Sequence, residues 1–365
     1  MKRTLLLLAT AAMFAACAEK PAATLKEAFE NDFYIGTAMN VQQILEIDKA
    51  ESELVAHHFS AIVAENCMKS EEIHPEKDRY FFDEADAFVA FGEKHGMFIT
   101  GHTLVWHSQL APWFPYNEAG EKVSREEMIA RLKDHISTVV GRYKGRIKGW
   151  DVVNEAILDD GSLRMTPFLE IIGEDYLELA FQFAHEADPD AELYYNDYSM
   201  ASPAKRARVV QLVRDLKQQG IRIDGVGMQG HMGMDYPDVA EFEKSLLAYA
   251  AEGVKVMITE WDISALPTVR QGAEISDTVA YMQAMNPYPD GLPAAVEEAW
   301  NERVRTFMDL FLKHSDKISR VTAWGVTDRT SWLNNWPMPG RKNYPLLFDR
   351  DNQLKPVMQE YLNRE

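Results

Sequence analysis

Cysteine is nearly absent from this 365-residue chain, which holds only Cys17 and Cys67. Two thiols cannot build a cysteine-based zinc cluster, and a disulfide within the monomer would have to join these two positions. Cys67 reads as a small buried residue instead. Net positive charge is lacking too. With 38 Lys and Arg against 57 Asp and Glu, the formal charge is -19. That balance argues against nucleic acid or an anionic membrane as the main partner and leaves a neutral polymer open. Beyond residue 25 there is no low-complexity stretch and no charge block to mark a second domain. A glycine-rich phosphate turn is missing after the first strand-like run, which disfavours a doubly wound dinucleotide fold.

The N-terminus reads as a targeting segment. Lys2 and Arg3 precede an apolar run from Leu5 to Ala16 that is too short to span a bilayer, and small residues lead into Cys17. Ala15-Ala16-Cys17 resembles the lipobox of bacterial lipoproteins, in which the cysteine carries the lipid and begins the mature chain. A lipid-modified Cys17 would rule out the disulfide to Cys67. The expected division is a signal peptide over residues 1–17, a polar linker over 18–25 and one catalytic domain over 26–365. The protein is expected to be exported, anchored by lipid at the outer membrane, the cell surface or the periplasmic face. Plain secretion is the alternative. Membrane contact is expected only through Cys17, and a monomer is expected.

What is abundant is apolar sequence in a regular order. Hydrophobic residues make up 46% of the chain, enough for a large core. Eight strand-like runs succeed one another: 33–39, 59–65, 97–106, 147–155, 191–197, 225–231, 254–260 and 321–328. Amphipathic segments lie between them, at 84–96, 128–143 and 207–220 for example. The last has Val209, Leu212, Val213 and Leu216 at helical spacing and stops at Gly220. Strict alternation of this kind predicts an α/β fold, a single (β/α)8 TIM barrel. Polar residues gather at the ends of these runs, and in such a barrel all strand C-termini open on one face.

Two of those polar residues are glutamates. Glu155 ends IKGWDVVNE and Glu260 ends VKVMITE. A carboxylate at the exit of a buried strand is desolvated and rigidly held, which suits catalysis. Cleaving a glycosidic bond with retention needs such a pair: one carboxylic acid to protonate the leaving oxygen and one carboxylate to attack the anomeric carbon. The two must ionise differently, so their surroundings must differ. Asn154 precedes the first glutamate. Asp262 stands two residues past the second, on the same strand face.

Seven motifs in order extend this reading over almost the whole chain: AENCMK (64–69), GHTLVWHSQ (101–109), WDVVNEA (150–156), YYNDY (194–198), GMQGH (227–231), ITEWDI (258–263) and WGVTDRTSW (324–332). Together they resemble the family 10 glycoside hydrolases, retaining endo-β-1,4-xylanases that cleave xylan and xylo-oligosaccharides without metal or organic cofactor. The resemblance implies that Glu155 is the acid/base and Glu260 the nucleophile. It places His231 beside Glu260, held by Asp262, and puts Asn154 on the 2-hydroxyl of the sugar before the cleaved bond. Glu65, Asn66, Lys69, His102, Trp106, Gln229, Trp324 and Trp332 resemble the groups that hold sugars on the non-reducing side of that bond. Asn196 and Asp197 are expected either to support the site or to touch substrate. His107, Trp113 and Arg341 are weaker candidates, and His57 and His58 read as exposed helix-end residues. Ser60 and Trp261 stand where the family more often has Asn and Leu, and Trp261 is expected to reshape the cleft. A turn-rich segment, 269–304, is expected to overhang the site or to be a plain surface excursion. Two further readings stay open: a barrel glycosidase on another β-1,4-glycan such as cellulose or mixed-linkage glucan, and a glycan-binding lipoprotein without catalysis.

Overall fold

The computed structural model describes residues 24–269 and 271–364. Nine parallel strands form in chain order: β1 (Tyr34–Met39), β2 (Ala61–Ala64), β3 (Phe98–Val105), β4 (Gly149–Asn154), β5 (Glu192–Asp197), β6 (Gly225–Met228), β7 (His231–Gly233), β8 (Lys255–Ser264) and β9 (Ile318–Ala323). Neighbours pair in the order β6-β5-β4-β3-β2-β1-β9-β8, and a further β6–β8 pairing closes the ring. The result is an eight-stranded parallel barrel with helices between its strands, as the alternation predicts. The strands are buried almost without a break, because the helices cover the outer face and side chains fill the inner one.

The helices form for reasons visible in the sequence. The segment Arg125–Arg142 begins at Ser124, whose side chain caps the backbone N–H of Glu127, and it buries Met128, Leu132, Ile136 and Val139 along one stripe. The helix Pro203–Gln218 buries Val209, Leu212, Val213 and Leu216. It stops where Gly220 adopts φ +72°.

Three expectations need correction. The sixth strand run is broken: β6 ends at Met228, Gly230 turns with φ +84°, and the separate β7 pairs with the extension of β8, His231 against Asp262. The linker does not reach residue 25, since Thr24 caps the first helix and Leu25 is fully buried in the core. The turn-rich segment ends by residue 293, because Ala294–Lys313 is a helix that buries Trp300, Val304 and Phe307. The signal-peptide and lipid-anchor expectations, Cys17 included, lie outside the described residues.

Candidate active site

At the C-terminal face of the barrel a cavity of about 220 Å³ brings the sequence candidates together. Glu65, Asn66 and Lys69 come from the exit of β2, His102 and Trp106 from β3, and Asn154 and Glu155 from β4. Gln229 and His231 follow β6, Glu260 lies in β8, and Trp324 and Trp332 follow β9. Asp262 does not line the cavity. It stands behind it and accepts hydrogen bonds from His231 Nδ1 (2.9 Å) and Trp332 Nε1 (2.9 Å). Strand irregularities fall beside these residues: the ladder slips between His102 and Val105 in β3, and between Ile258 and Trp261 in β8. Bulges of this kind re-aim side chains at barrel rims.

Glu155 is buried and held by neutral donors. Trp106 Nε1 donates to Oε2 at 2.8 Å, and Gln229 Nε2 donates to Oε1 at 3.0 Å. Burial pushes its carboxyl up to about 7, helped by the nearby Asp197 and Glu260 charges, while the two donors pull the other way and lose. The rise from an ordinary 4.5 corresponds to roughly 3 kcal/mol of preference for the protonated form. Its backbone is also unusual, with φ +59°. A non-glycine residue in that region is strained by about 1–3 kcal/mol and persists only when its surroundings fix it. They do so here: the Glu155 N–H donates to the Asn196 carbonyl at 2.9 Å, and the Glu155 carbonyl accepts from Arg164 Nε at 3.0 Å.

Glu260 is equally buried, and burial alone would raise it. Instead its carboxyl stays below the usual range, because the His231 hydrogen bond at 3.1 Å, the His102 and His231 charges and the Asn196 amide at 2.7 Å outweigh burial. Burial disfavours the His231 cation, yet Asp262 and Glu260 on either side lift that imidazole to about 10. Near neutral pH His231 is therefore an imidazolium facing the Glu260 carboxylate. Of this pair, Glu155 is therefore the carboxyl that keeps a proton toward neutral pH, and Glu260 is the one that stays ionised.

The other candidates fall into place around this pair. Lys69 Nζ donates to Asn66 Oδ1 (3.0 Å) and Gln109 Oε1 (2.9 Å) and lies 4.8 Å from the Trp106 ring centroid. His102 Nδ1 meets Asp151 at 2.9 Å, and its ring stands edge-on to Trp324. Asn154 Oδ1 accepts from Gln229 Nε2 at 3.2 Å and Asn196 Nδ2 at 3.0 Å, which leaves its amide turned toward Glu155. Trp332 stacks on Trp336 and meets the His231 ring at 5.1 Å.

Some expectations part company here. Trp261 does not shape the cleft. Glu260 and Asp262 face inward, so the residue between them faces outward, and its ring packs against Phe311 under the helices. Asp328, the polar residue at the end of the eighth strand-like run, is buried away from the cavity against Lys355 at 2.8 Å. Asp197 is a support, fully buried on Lys205 and Tyr195. Trp113 packs on His74, and Arg341 lies under Trp336. His107 stands at the rim, where burial and the Arg164 charge push its imidazole down to about 4. His58 is half-buried against Phe348, with its imidazole also pushed down to about 4 by burial. Sequence reasoning did not single out Gln109, which lines the cavity wall, while Ala273 and Ile275 line it from the 269–304 segment that was expected to overhang the site. It also left the part of Asn196 undecided, and Asn196 binds Glu260 directly. Among the described residues no cluster of three His, Cys, Asp or Glu is placed to hold a metal.

A family model described as Glycosyl hydrolase family 10 matches residues 24–364. The endo-1,4-beta-xylanase A of Xylanibacter ruminicola is 50% identical over 341 residues, which cover 93% of this chain and 92% of that one. The endo-1,4-beta-xylanase B of Paenibacillus barcinonensis is 41% identical over 334 residues, 91% of this chain and 95% of that one. Among solved structures, a GH10 endoxylanase retrieved from a sugarcane soil metagenome superimposes with a TM-score of 0.88 at 46% identity, over 93% of this chain and 98% of that one.

Proposed function

The chain belongs to glycosyl hydrolase family 10, and from the ionisation of Glu155 and Glu260 we propose how it works as an endo-1,4-β-xylanase. Xylan and xylo-oligosaccharides are its substrates, and internal β-1,4-xylosyl bonds are hydrolysed in two displacements. In the first, the Glu260 carboxylate attacks the anomeric carbon as Glu155 passes its proton to the leaving oxygen, which gives a covalent glycosyl-enzyme. In the second, Glu155, now ionised, takes a proton from water. That water displaces Glu260 from the anomeric carbon and restores the β configuration. Each residue returns to its starting charge.

The remaining residues serve these two steps. His231 and Asn196 keep Glu260 ionised, and Asp262 and Trp332 hold His231 in place. Asn154 faces the sugar 2-hydroxyl, where its amide strengthens a contact that grows as the oxocarbenium-like state forms. Glu65, Asn66 and Lys69 bind hydroxyls of the sugar before the reacting one. Their bonds are directional, and the Trp106 and Trp324 rings wall the pocket. His102 and Gln229 complete the reacting subsite. The observation that carries the reading is the opposite shift of two carboxyls in one cavity, the acid up to about 7 and the nucleophile below its ordinary value.

A time course on xylan, cellulose and mixed-linkage glucan, with NMR of the earliest product, tests it. Short β-configured xylo-oligosaccharides from xylan support the reading, whereas an initial α-product contradicts the retaining pair. Export with a lipid on Cys17 is part of the proposal, supported by the charged, apolar and small-residue order of residues 1–17. Cys17→Ala is expected to move the protein from the membrane fraction to the soluble fraction, and unchanged fractionation would sink the anchor.

A further inference from the structure

Residues 271–276 form a strap that crosses the barrel mouth from the exit of β8 to the loops after β4 and β5. Its residues face different hollows. Ala273 and Ile275 line the catalytic cavity. Gln271 and Gly272 line a hollow of about 330 Å³ shared with Asp159 and Ser199. Glu274 closes a third hollow with Leu158 and Tyr198. The strap is therefore a partition. On one side lies the cavity with Glu155 and Glu260, and on the other lie the smaller hollow built by residues that follow Glu155 and Asp197 and the larger one, which those residues share with β6, β7 and the chain after them.

One carboxylate holds it there. Glu274 Oε2 accepts from Arg164 Nη1 at 2.7 Å, while Arg164 Nη2 donates to the Tyr198 hydroxyl at 2.5 Å. The same guanidinium donates through Nε to the Glu155 carbonyl. The other oxygen of Glu274 accepts from Ser276 Oγ at 3.0 Å, so the side chain also fixes its own turn. Both partners of the ion pair are only 12% exposed, where solvent screens them little. Gly272, at φ +107°, lies directly on the next loop: a Cβ there would stand 3.2 Å from Ser199 Oγ and 3.5 Å from the Tyr198 ring.

We infer that Glu274 is a positioning residue that latches this strap across the reducing-side half of the cleft, and that the latched strap limits the length of the leaving portion. The inference rests on the roles proposed above. Glu155 protonates the leaving oxygen, so the leaving portion must pass beside it toward Leu158, Arg164 and Tyr198, where the strap stands. A small leaving group fits without disturbing it. A chain of several sugars has to displace it, and the ion pair opposes that movement.

The test compares kcat and KM on an aryl β-xylobioside, whose leaving group is small, with those on xylohexaose. In Glu274→Ala the ratio of kcat/KM for xylohexaose to that for the aryl glycoside is expected to rise about fivefold, carried by KM. Glu274→Gln, which keeps an oxygen facing Arg164, is expected to fall between the two. An unchanged ratio in a folded Glu274→Ala variant, or a parallel loss on both substrates, would overturn the inference and leave the strap as a brace. A variant with residues 271–276 replaced by a shorter Gly/Ser link must move the ratio in the same direction, which keeps the test open if Glu274→Ala does not fold. Failure of the unaltered enzyme on the aryl xylobioside would instead count against the proposed function.

Discussion

Glu155 and Glu260 are buried to nearly the same degree, 6% and 5% exposed, yet they ionise in opposite senses. The difference lies in what faces each carboxyl. Glu155 meets an indole N–H and an amide, which stabilise its charge modestly, and it looks toward the Asp197 charge. Glu260 meets an imidazolium that Asp262 keeps protonated, together with the Asn196 amide. Burial disfavours charge at both positions, and only at Glu260 is there a cation to reverse it. The lesson is that the division of labour between two chemically identical residues is set by what faces one of them: His231 with the aspartate behind it, joined by the His102 charge.

That contrast can be broken in order of expected effect. Glu260→Ala removes the nucleophile and is expected to lower kcat by at least about 10⁴-fold with the fold intact, as loss of a group that bonds to the substrate usually does. Near-normal turnover in that variant would falsify the assignment. Glu155→Ala takes away the proton, not the attack. On xylan and other poor leaving groups it is expected to cost about 10²–10⁴-fold, and much less in the first displacement on an activated aryl glycoside. Equal losses on both substrates would count against its acid role. His231→Asn makes the surroundings of Glu260 resemble those of Glu155. With that cation gone, less opposes burial and the Glu260 carboxyl moves up. The acid limb of kcat/KM, where activity appears as Glu260 ionises, then shifts to higher pH, with a loss on the order of 10–100-fold at the optimum. The alkaline limb, where activity fades as Glu155 ionises near 7, is expected to move less. A pH–rate profile with an unmoved acid limb would remove His231 from the account.

The barrel was legible because each strand is an apolar run closed by polar residues, and each such end lies on one face of the fold. The two glutamates were legible for the same reason. What strand parity could have added is Trp261: two inward carboxylates at positions 260 and 262 already place the residue between them outside. Asn196 carried a weaker signal, a polar residue at a strand end with no partner visible in the sequence. The break between β6 and β7 hung on one glycine in GMQGH, which reads equally well as strand. The Arg164–Glu274 contact had no sequence signal at all. Its residues lie 110 positions apart in two irregular segments, and only the closed barrel brings them together.

The most direct test of the account is covalent trapping. A 2-deoxy-2-fluoro-xylobioside with a good leaving group slows the second displacement more than the first, so the glycosyl-enzyme accumulates and peptide mass spectrometry locates the label. The account predicts one label per chain, on Glu260 in the peptide containing ITEWDI. A label on Glu155, or none despite turnover of the unfluorinated substrate, would contradict it.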